Sequence, residues 1–389
     1  MTVAPVKQAP GLVVLSTGGT GGHVFPAQAL AAELAQRGAR LALVTDRRGD
    51  AFSGPLASLD THEISAAGVS GRSLSAGMSA VFKLSIGFLQ ARRLLKELRP
   101  DVVVGFGGYP SVPTMLAASR LRLKTAIHEQ NAILGRANRL LAPRVDRIAT
   151  SFEATAELRN ADASKASWTG NPVRPGIAGL SGRPYPIPRQ DEPVNILVFG
   201  GSQGAAVFGE VVPTALARLP HPLLTRLRIT QQVRAEQIPT IENTYRGAGI
   251  SAEIRTFFTD MPERLDQAHL IISRAGASTI AELTAVGRPA ILVPYPHAID
   301  DHQSANAARL SDAGGAWMYP QDSFTPDVLS DRVQSLIEQP ANLETAATCA
   351  ARIGMPGATT RLTDMVCDMI AGNGASRPNG GRALHEDAA

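Results

Sequence analysis

The sequence predicts an α/β fold in two halves, each a parallel sheet covered by helices on both faces. Three observations lead there. Short continuous apolar runs alternate with helix-length segments along the chain. A glycine-rich turn follows the first strand of each half, at Gly18 to Gly22 and again at Gly200 to Gly204. Between the two series lies a proline-rich stretch, Asn171 to Pro193, with prolines at 172, 175, 184, 186, 188 and 193, which reads as an interdomain connection.

The first half opens with a buried strand at Leu12 to Ser16, the turn Thr17 to His23, and a helix running to about Arg37 and stopped by Gly38. Strands follow at Arg40 to Thr45, Asp101 to Gly105, Lys124 to His128 and Arg147 to Thr150. A helix near Thr114 to Arg120 comes after the turn Gly107-Gly-Tyr-Pro110. The second half repeats the rhythm, with strands at Asn195 to Phe199, Leu227 to Ile229, Ala252 to Thr256, Leu270 to Ser273 and Ala290 to Val293. Terminal helices are expected over Pro326 to Gln339 and Asn342 to Ala371. The resulting division is 8–173 and 174–354, two Rossmann-like units. Residues 372–389 are expected to be a disordered tail.

Composition narrows the function classes. The 389 residues are 44% hydrophobic and 19% charged, which suits a large packed core. No apolar run approaches the ~18 residues of a membrane span, and the N-terminus does not read as a signal peptide. The two cysteines, Cys349 and Cys367, exclude a disulfide framework. The net charge is +4, and only five of the 38 basic residues are Lys. Arginine suits phosphate and carboxylate recognition, although base composition also favours it. With no basic arm, zinc-finger spacing or aromatic RNA-binding motif, nucleic acid is not an expected partner.

A glycine turn between strand and helix aims free backbone N–H groups and the helix dipole at one point, and so favours phosphates. Three such loops occur, Gly18 to Gly22, Gly105 to Gly108 and Gly200 to Gly204, which points to phosphorylated ligands in both halves. No G-x-x-x-x-G-K-[ST] is present, so a P-loop NTPase is disfavoured. The spacing Gly19-x-Gly21-Gly22 is wrong for a dehydrogenase, and Asp46 after the second strand is read as coincidence.

Seven motifs, in order over about residues 11 to 370, then carry a specific resemblance. They are Gly18 to Pro26, Gly107 to Pro113, His128-Glu-Gln-Asn131, Gly170-Asn-Pro-Val-Arg174, Gly200 to Ala205, Ala277 to Glu282, and Val293 to His297 with Asp301-His-Gln303 and Asn306-Ala307. Together they resemble the MurG family, N-acetylglucosaminyltransferases that make lipid II for peptidoglycan. The resemblance implies the GT-B fold, two Rossmann-like domains facing across a cleft, with a C-terminal helix, about 355–371 here, that packs back on the first domain. It also implies inverting transfer of GlcNAc from UDP-GlcNAc to undecaprenyl-pyrophosphoryl-MurNAc-pentapeptide (lipid I) through a β1→4 linkage.

By the same resemblance the donor would meet Thr20, Gly21, Gly22, Asn131, Arg174, Ser202, Phe258, Ala277, Ser278, Thr279, Ile280, Ala281, Glu282 and Gln303. Arg174 would lie near the uracil, Glu282 would accept the ribose hydroxyls and Gln303 would bind sugar hydroxyls. Taken alone, Ser202 reads as an N-cap, Glu282 as the acid of a capping box with Thr279, and Arg174 as a surface arginine. Phe258 departs from the family pattern, which usually has Ile there. The acceptor would meet Gly18, Gly19, Gly107, Gly108, Tyr109 and Ser111. His23 is the candidate general base, imidazole being the side chain suited to proton transfer near neutral pH, with Glu129 the competing base. The bland reading of His23 is a helix cap or phosphate contact. D-x-D is absent, so no tightly bound metal or cofactor is expected, leaving room for free Mg²⁺.

The resemblance also places the protein peripherally on the cytoplasmic face of the inner membrane, near cell-wall synthesis and division proteins. Residues 78–98 supply a candidate surface, with Met78, Phe82, Ile86, Phe88 and Leu89 among Lys83, Arg92, Arg93 and Lys96. Leu94, Leu95 and Leu98 read as core. The competing functions are another GT-B lipid glycosyltransferase, a UDP-GlcNAc 2-epimerase and a non-catalytic polyprenyl-phosphate binder.

Overall fold

The computed structural model describes residues 10–18, 21–46, 56–66, 74–109, 111–201 and 204–372. Two parallel sheets organise them. The first holds β1 (Leu12–Ser16), β2 (Arg40–Thr45), β3 (Asp60–Glu63), β4 (Val102–Gly105), β5 (Lys124–Glu129), β6 (Arg147–Thr150) and β7 (Ala166–Trp168), in the order β3-β2-β1-β4-β5-β6-β7. The second holds β8 (Val194–Phe199), β9 (Leu227–Gln232), β10 (Ser251–Arg255), β11 (Leu270–Ser273), β12 (Ala290–Leu292) and β13 (Ala316–Met318), in the order β10-β9-β8-β11-β12-β13.

Strand composition explains the layering. Side chains alternate between faces, so a strand buried on both sides must be apolar throughout. In β1, Val13 and Leu15 enter one core while Val14 enters the core on the opposite face. In β8, Val194, Ile196 and Val198 face one way, Leu197 and Phe199 the other. The edge strands β3, β7 and β13 are short, and none of their residues is fully buried except Ala316. β3 is polar, and β7 and β13 are three residues each, too short to give the apolar run on which the sequence reading of strands rests, and it passes over all three.

Each sheet reverses its winding direction once, between β1 and β4 and between β8 and β11. Loops at the carboxyl ends of strands diverge at such a point and leave a crevice. The three glycine loops occupy these two positions.

The long terminal helix expected over Asn342 to Ala371 is two helices, Pro340–Ile353 and Ala358–Ala371. Gly354, Pro356 and Gly357 break it. Pro356 holds Met355 out of the α region, and a Cβ on Gly354 would sit 2.3 Å from the Thr284 carbonyl oxygen. The break sends Ala358–Ala371 back onto the first half. There Leu362, Val366, Cys367, Met369 and Ile370 join the core formed by Val13, Leu15, Leu30 and Leu34. Arg37 clamps this helix, pairing with Asp364 at 2.5 Å and with Glu33. The expected tail beyond Gly372 lies outside the described residues.

The chain therefore crosses between the halves twice, through the proline-rich connection and through 354–357. The crossings touch. Gly170 has φ +81°, and a Cβ on it would lie 2.6 Å from the Met355 sulfur and 2.9 Å from the Ala358 methyl.

Candidate active site

At the first switch point β1 runs into Thr17 and Gly18, both buried, and the Gly21–Gln36 helix begins with Gly21 and Gly22. The N–H groups of the first helical turn have no partner within the helix and point into the crevice. Gly19 and Thr20 lie outside the described residues. Across the crevice, Gly107 (φ +88°) and Gly108 (φ +76°) turn the chain after β4. A Cβ on Gly107 would stand 3.2 Å from the His23 ring, so glycine here seats the imidazole as well as making the turn. Tyr109 is 39% exposed and free to meet a ligand. Ser111 is not: it is wholly buried, and its hydroxyl is shared between the carbonyls of Ser16 (2.9 Å) and Gly107 (2.6 Å). Its expected acceptor contact gives way to a scaffolding role, tying the β1 end to the Gly107 turn.

His23 stands on the first turn of the helix, and its Nδ1 lies 2.9 Å from Gln130 Oε1. Glu129, the competing base, is 2% exposed and saturated. Its Oε1 accepts from the Asn131 backbone (3.0 Å) and side chain (3.1 Å), and its Oε2 from Gly135 N–H (2.8 Å) and Asn138 Nδ2 (2.8 Å). A carboxylate with both oxygens so engaged organises the 129–138 loop and is poorly placed to take a proton from a ligand. Asn131 in turn accepts from Asn306 of the second half at 3.1 Å.

At the second switch point Gly201 (φ +85°) and Gly204 (φ +66°) shape the loop after β8. A Cβ on Gly200 would meet the Ala205 nitrogen at 2.3 Å, a backbone approach that only glycine allows. Ser202 lies outside the described residues. Neither helix bordering this crevice, Ala206–Leu216 or Ala277–Val286, has a side-chain N-cap, which leaves first-turn N–H groups open to an anion.

The helical period sorts the residues expected on Ala277–Val286. Ser278, Thr279 and Glu282 fall on one face. Ala277, Ile280 and Ala281 fall on the other and line a separate cavity of about 380 Å³ with Phe152, Trp168 and Asn171. The Ile280 N–H is already bonded to Gly276 at 3.0 Å and its side chain is in the core, so it has nothing to offer the donor. Ala277 and Ala281 likewise turn their side chains from the crevice, though the Ala277 N–H remains at the helix mouth. The Ser278 hydroxyl is buried without a protein partner.

Glu282 makes no capping box. Arg174 reaches it at 2.9 Å while lying over the Phe25 ring of the first half, 5.1 Å from its centroid. Burial pushes the Glu282 carboxyl above its usual range, against the opposing pull of Arg174. The Gln303 Oε1 accepts from the backbone N–H groups of Ala275 (3.3 Å) and Tyr295 (3.0 Å), which directs its amide nitrogen away from them. Phe258 is 4% exposed beneath the Arg264 guanidinium, 4.1 Å from it, so its ring is not a pocket wall and only its backbone could meet a base.

Asn306 joins the halves. Wholly buried, it accepts from the Ala132 N–H at 2.8 Å and donates to Asn131 Oδ1 and the Ala275 carbonyl, each at 3.1 Å. Beside it Asp300 (φ +54°) and Asp301 (φ +51°) take left-handed backbone, and Asp300 pairs with Arg136 (2.7 Å) and Arg139. Sequence reasoning assigned Gln130, Asn138 and Asn306 no role, because a neutral amide carries neither a titration nor a metal-ligand signature. Among the described residues no three His, Cys, Asp or Glu side chains converge as a metal site would require.

The crevice thus sets an imidazole on one half opposite a carboxylate–guanidinium pair and open helix N-termini on the other. It can deprotonate a hydroxyl while stabilising a departing anion. The chain matches the glycosyltransferase family 28 N-terminal domain over residues 13–150 and the glycosyltransferase family 28 C-terminal domain over 195–362. It is 52% identical over 380 residues to the UDP-N-acetylglucosamine–N-acetylmuramyl-(pentapeptide) pyrophosphoryl-undecaprenol N-acetylglucosamine transferase of Rhodospirillum centenum, covering 97% of this chain and 98% of that one. The crystal structure of Acinetobacter baumannii MurG superposes with TM-score 0.74 at 31% identity, covering 92% and 99% of the two chains. The UDP-GlcNAc 2-epimerase of Neisseria meningitidis bound to UDP-GlcNAc shares the fold alone, at TM-score 0.61 and 13% identity over 92% and 100%.

Proposed function

The chain belongs to the MurG family within glycosyltransferase family 28, and from that premise we propose how its crevice works. It transfers GlcNAc from UDP-GlcNAc to undecaprenyl-pyrophosphoryl-MurNAc-pentapeptide, forming the β1→4-linked disaccharide lipid. The observation that carries the mechanism is the placement of His23, on a helix mouth beside the phosphate-binding turns and opposite Glu282 and Arg174. The acceptor 4-hydroxyl oxygen attacks the anomeric carbon from the face opposite UDP and passes its proton to His23 Nε2. The bond from that carbon to the diphosphate oxygen breaks, and UDP leaves with the electron pair.

Negative charge grows on the diphosphate as it departs. The N–H groups at the mouth of Ala277–Val286, the Gly200 to Gly204 turn and the Ser278 hydroxyl are the groups we assign to it. Glu282 and Gln303 take the ribose and sugar hydroxyls. Because Glu282 faces Arg174, the pair acts as one recognition unit. The turns at Gly18 to Gly22 and Gly107 to Gly108, with Tyr109, hold the acceptor pyrophosphate. Free Mg²⁺ on the diphosphate fits this reading, and no resident cofactor is part of it.

Lipid I lies in a membrane, and no described helix is long and apolar enough to cross one. We assign contact to the Leu74–Leu98 helix. Phe82 (66% exposed) and Leu89 (63%) stand seven residues apart on one stripe with Lys96, flanked by exposed Arg92 and Arg93. Phe88 is half-buried against the core with Leu94 and Leu98, which withdraws it from the expected surface, and Leu95 is buried. The side chain of Met78 lies outside the described ones. A peripheral place on the cytoplasmic leaflet, among cell-wall synthesis and division proteins, is the setting this reading implies.

The deciding experiment is transfer of labelled GlcNAc from UDP-GlcNAc to a short-chain lipid I analogue by wild type, His23→Ala and Glu129→Gln. Transfer should fall by ~10²–10⁴ in His23→Ala with UDP binding retained. Near-normal transfer in His23→Ala would remove it as base, and release of 2-epimerised sugar without acceptor would replace the transferase reading.

A further inference from the structure

We infer that Gln130 is a positioning residue that fixes the tautomer of His23, as the middle link of a hydrogen-bond chain ending at the Gly170 carbonyl. The inference rests on His23 as the base and adds how that base is kept ready.

The assignment follows from acceptors that cannot reverse roles. The Gln130 amide group has the Phe106 carbonyl at 3.0 Å and the His128 carbonyl at 3.1 Å on one side. Carbonyl oxygens only accept, so the NH₂ faces them and the amide oxygen points the other way, to His23 Nδ1 at 2.9 Å. That oxygen also only accepts. His23 must therefore carry its proton on Nδ1, and its Nε2 holds the open lone pair.

The far end of the chain obeys the same logic. His128 Nε2 lies 3.1 Å from the Gly170 carbonyl and must donate to it, which leaves His128 Nδ1 as a third acceptor, 3.0 Å from the Gln130 NH₂ and sharing its two hydrogens with the two carbonyls. His128 is wholly buried and lies tilted against the Phe106 ring, centroids 5.7 Å apart, so this end does not rotate freely. Burial also pulls the His128 imidazole down to about 4, and it stays neutral wherever the enzyme works. Every link is thus directional, from the Gly170 carbonyl to the imidazole in the crevice. Gln130 itself is 2% exposed, too deep to touch substrate.

Without this chain a neutral imidazole in water distributes its proton between both nitrogens and spends much of its time with Nε2 protonated, unable to accept. The same second-partner logic sets the reactive nitrogen in other histidine sites.

The test uses the full chain labelled with ¹⁵N-histidine, the His23 signals being assigned by their loss in His23→Ala. Long-range ¹H–¹⁵N spectra of the wild type should show neutral His23 with Nδ1 protonated and Nε2 bare. In Gln130→Leu the Nε2-protonated form should appear, and kcat should fall ~10-fold, short of the ~10²–10⁴ of a lost general base, with the KM for UDP-GlcNAc unchanged. An Nε2-protonated His23 in the wild type overturns the inference with no variant needed, as does a Gln130→Leu protein whose His23 spectrum is unaltered. If the tautomer is as stated but His23→Ala retains turnover, the base reading fails while the positioning by Gln130 stands.

Discussion

Asn306→Ala should loosen the join between the two halves by about 2–6 kcal/mol. The side chain makes three hydrogen bonds and is wholly buried, and truncation removes all of them. The Ala132 N–H and the Ala275 carbonyl lose partners in the interior, while Asn131 Oδ1 belongs to a half-buried residue that water can reach. A buried polar group left unpaired costs ~1–3 kcal/mol, so two such groups and one partly rehydrated group give the stated range. At about 1.4 kcal/mol per tenfold, the lower bound already shifts local opening ~30-fold. Hydrogen exchange on peptides covering residues 131–136 and 275 should accelerate by that factor, with β1 and β8 unaffected. Asn306→Asp should do no better, because it turns an oxygen toward the Asn131 and Ala275 oxygens. Unchanged exchange at Ala132 in Asn306→Ala would refute the assignment of Asn306 as the link between halves.

Other expectations can be checked separately. Replacing Phe82 and Leu89 together with Ser should weaken flotation with anionic liposomes while leaving turnover of a soluble acceptor intact, and parallel loss of both would remove the membrane role. His128 has its imidazole lowered from 6.5 to about 4, so the unfolded chain binds its proton more readily. The stability this contributes is present above pH 6.5 and is lost as pH falls from 6.5 toward 4. It amounts to roughly 3 kcal/mol at about 1.4 kcal/mol per pH unit. Urea titrations across that window should show the slope, and His128→Asn should reduce it. Leu362→Ala, at a fully buried position in the returning helix, should cost about 2–5 kcal/mol. A denaturation midpoint within error of wild type would mean that Ala358–Ala371 does not seal the first core.

What the sequence made legible was whatever burial writes in a row of residues. The central strands β1, β4, β8 and β11 are apolar because both faces are covered, and they were readable for that reason. The polar edge strand β3 was not, since solvent on its outer side removes the pattern. Glycine turns could be placed at the strand ends because their sterics are local. The residues of Ala277–Val286 show where that locality ends. The motif marks a helix mouth, but which of its residues face the crevice depends on how the helix is rolled against the sheet. Ile280 and Ala281 therefore faced elsewhere. Glu282 was expected as a capping acid or a ribose acid, and its pairing with Arg174 across 108 positions had no signature in either segment. Ser111 and Glu129 were recognised as special but carry their weight in the scaffold. Their carbonyl and amide partners come from loops that the sequence cannot bring together.

The contact between the two chain crossings, at Gly170 and Met355, has a kinematic consequence. Two bodies tethered at well-separated points can only slide or flex against each other; tethered at adjoining points, they can swing like a door on a single pin. The two crossings meet where the Met355 sulfur fills the space beside Gly170. Any swing that shifts Gly170 also moves its carbonyl, which is where the hydrogen-bond chain to His23 is anchored. The place where the two crossings meet and the anchor of the chain to the base thus share one residue, Gly170.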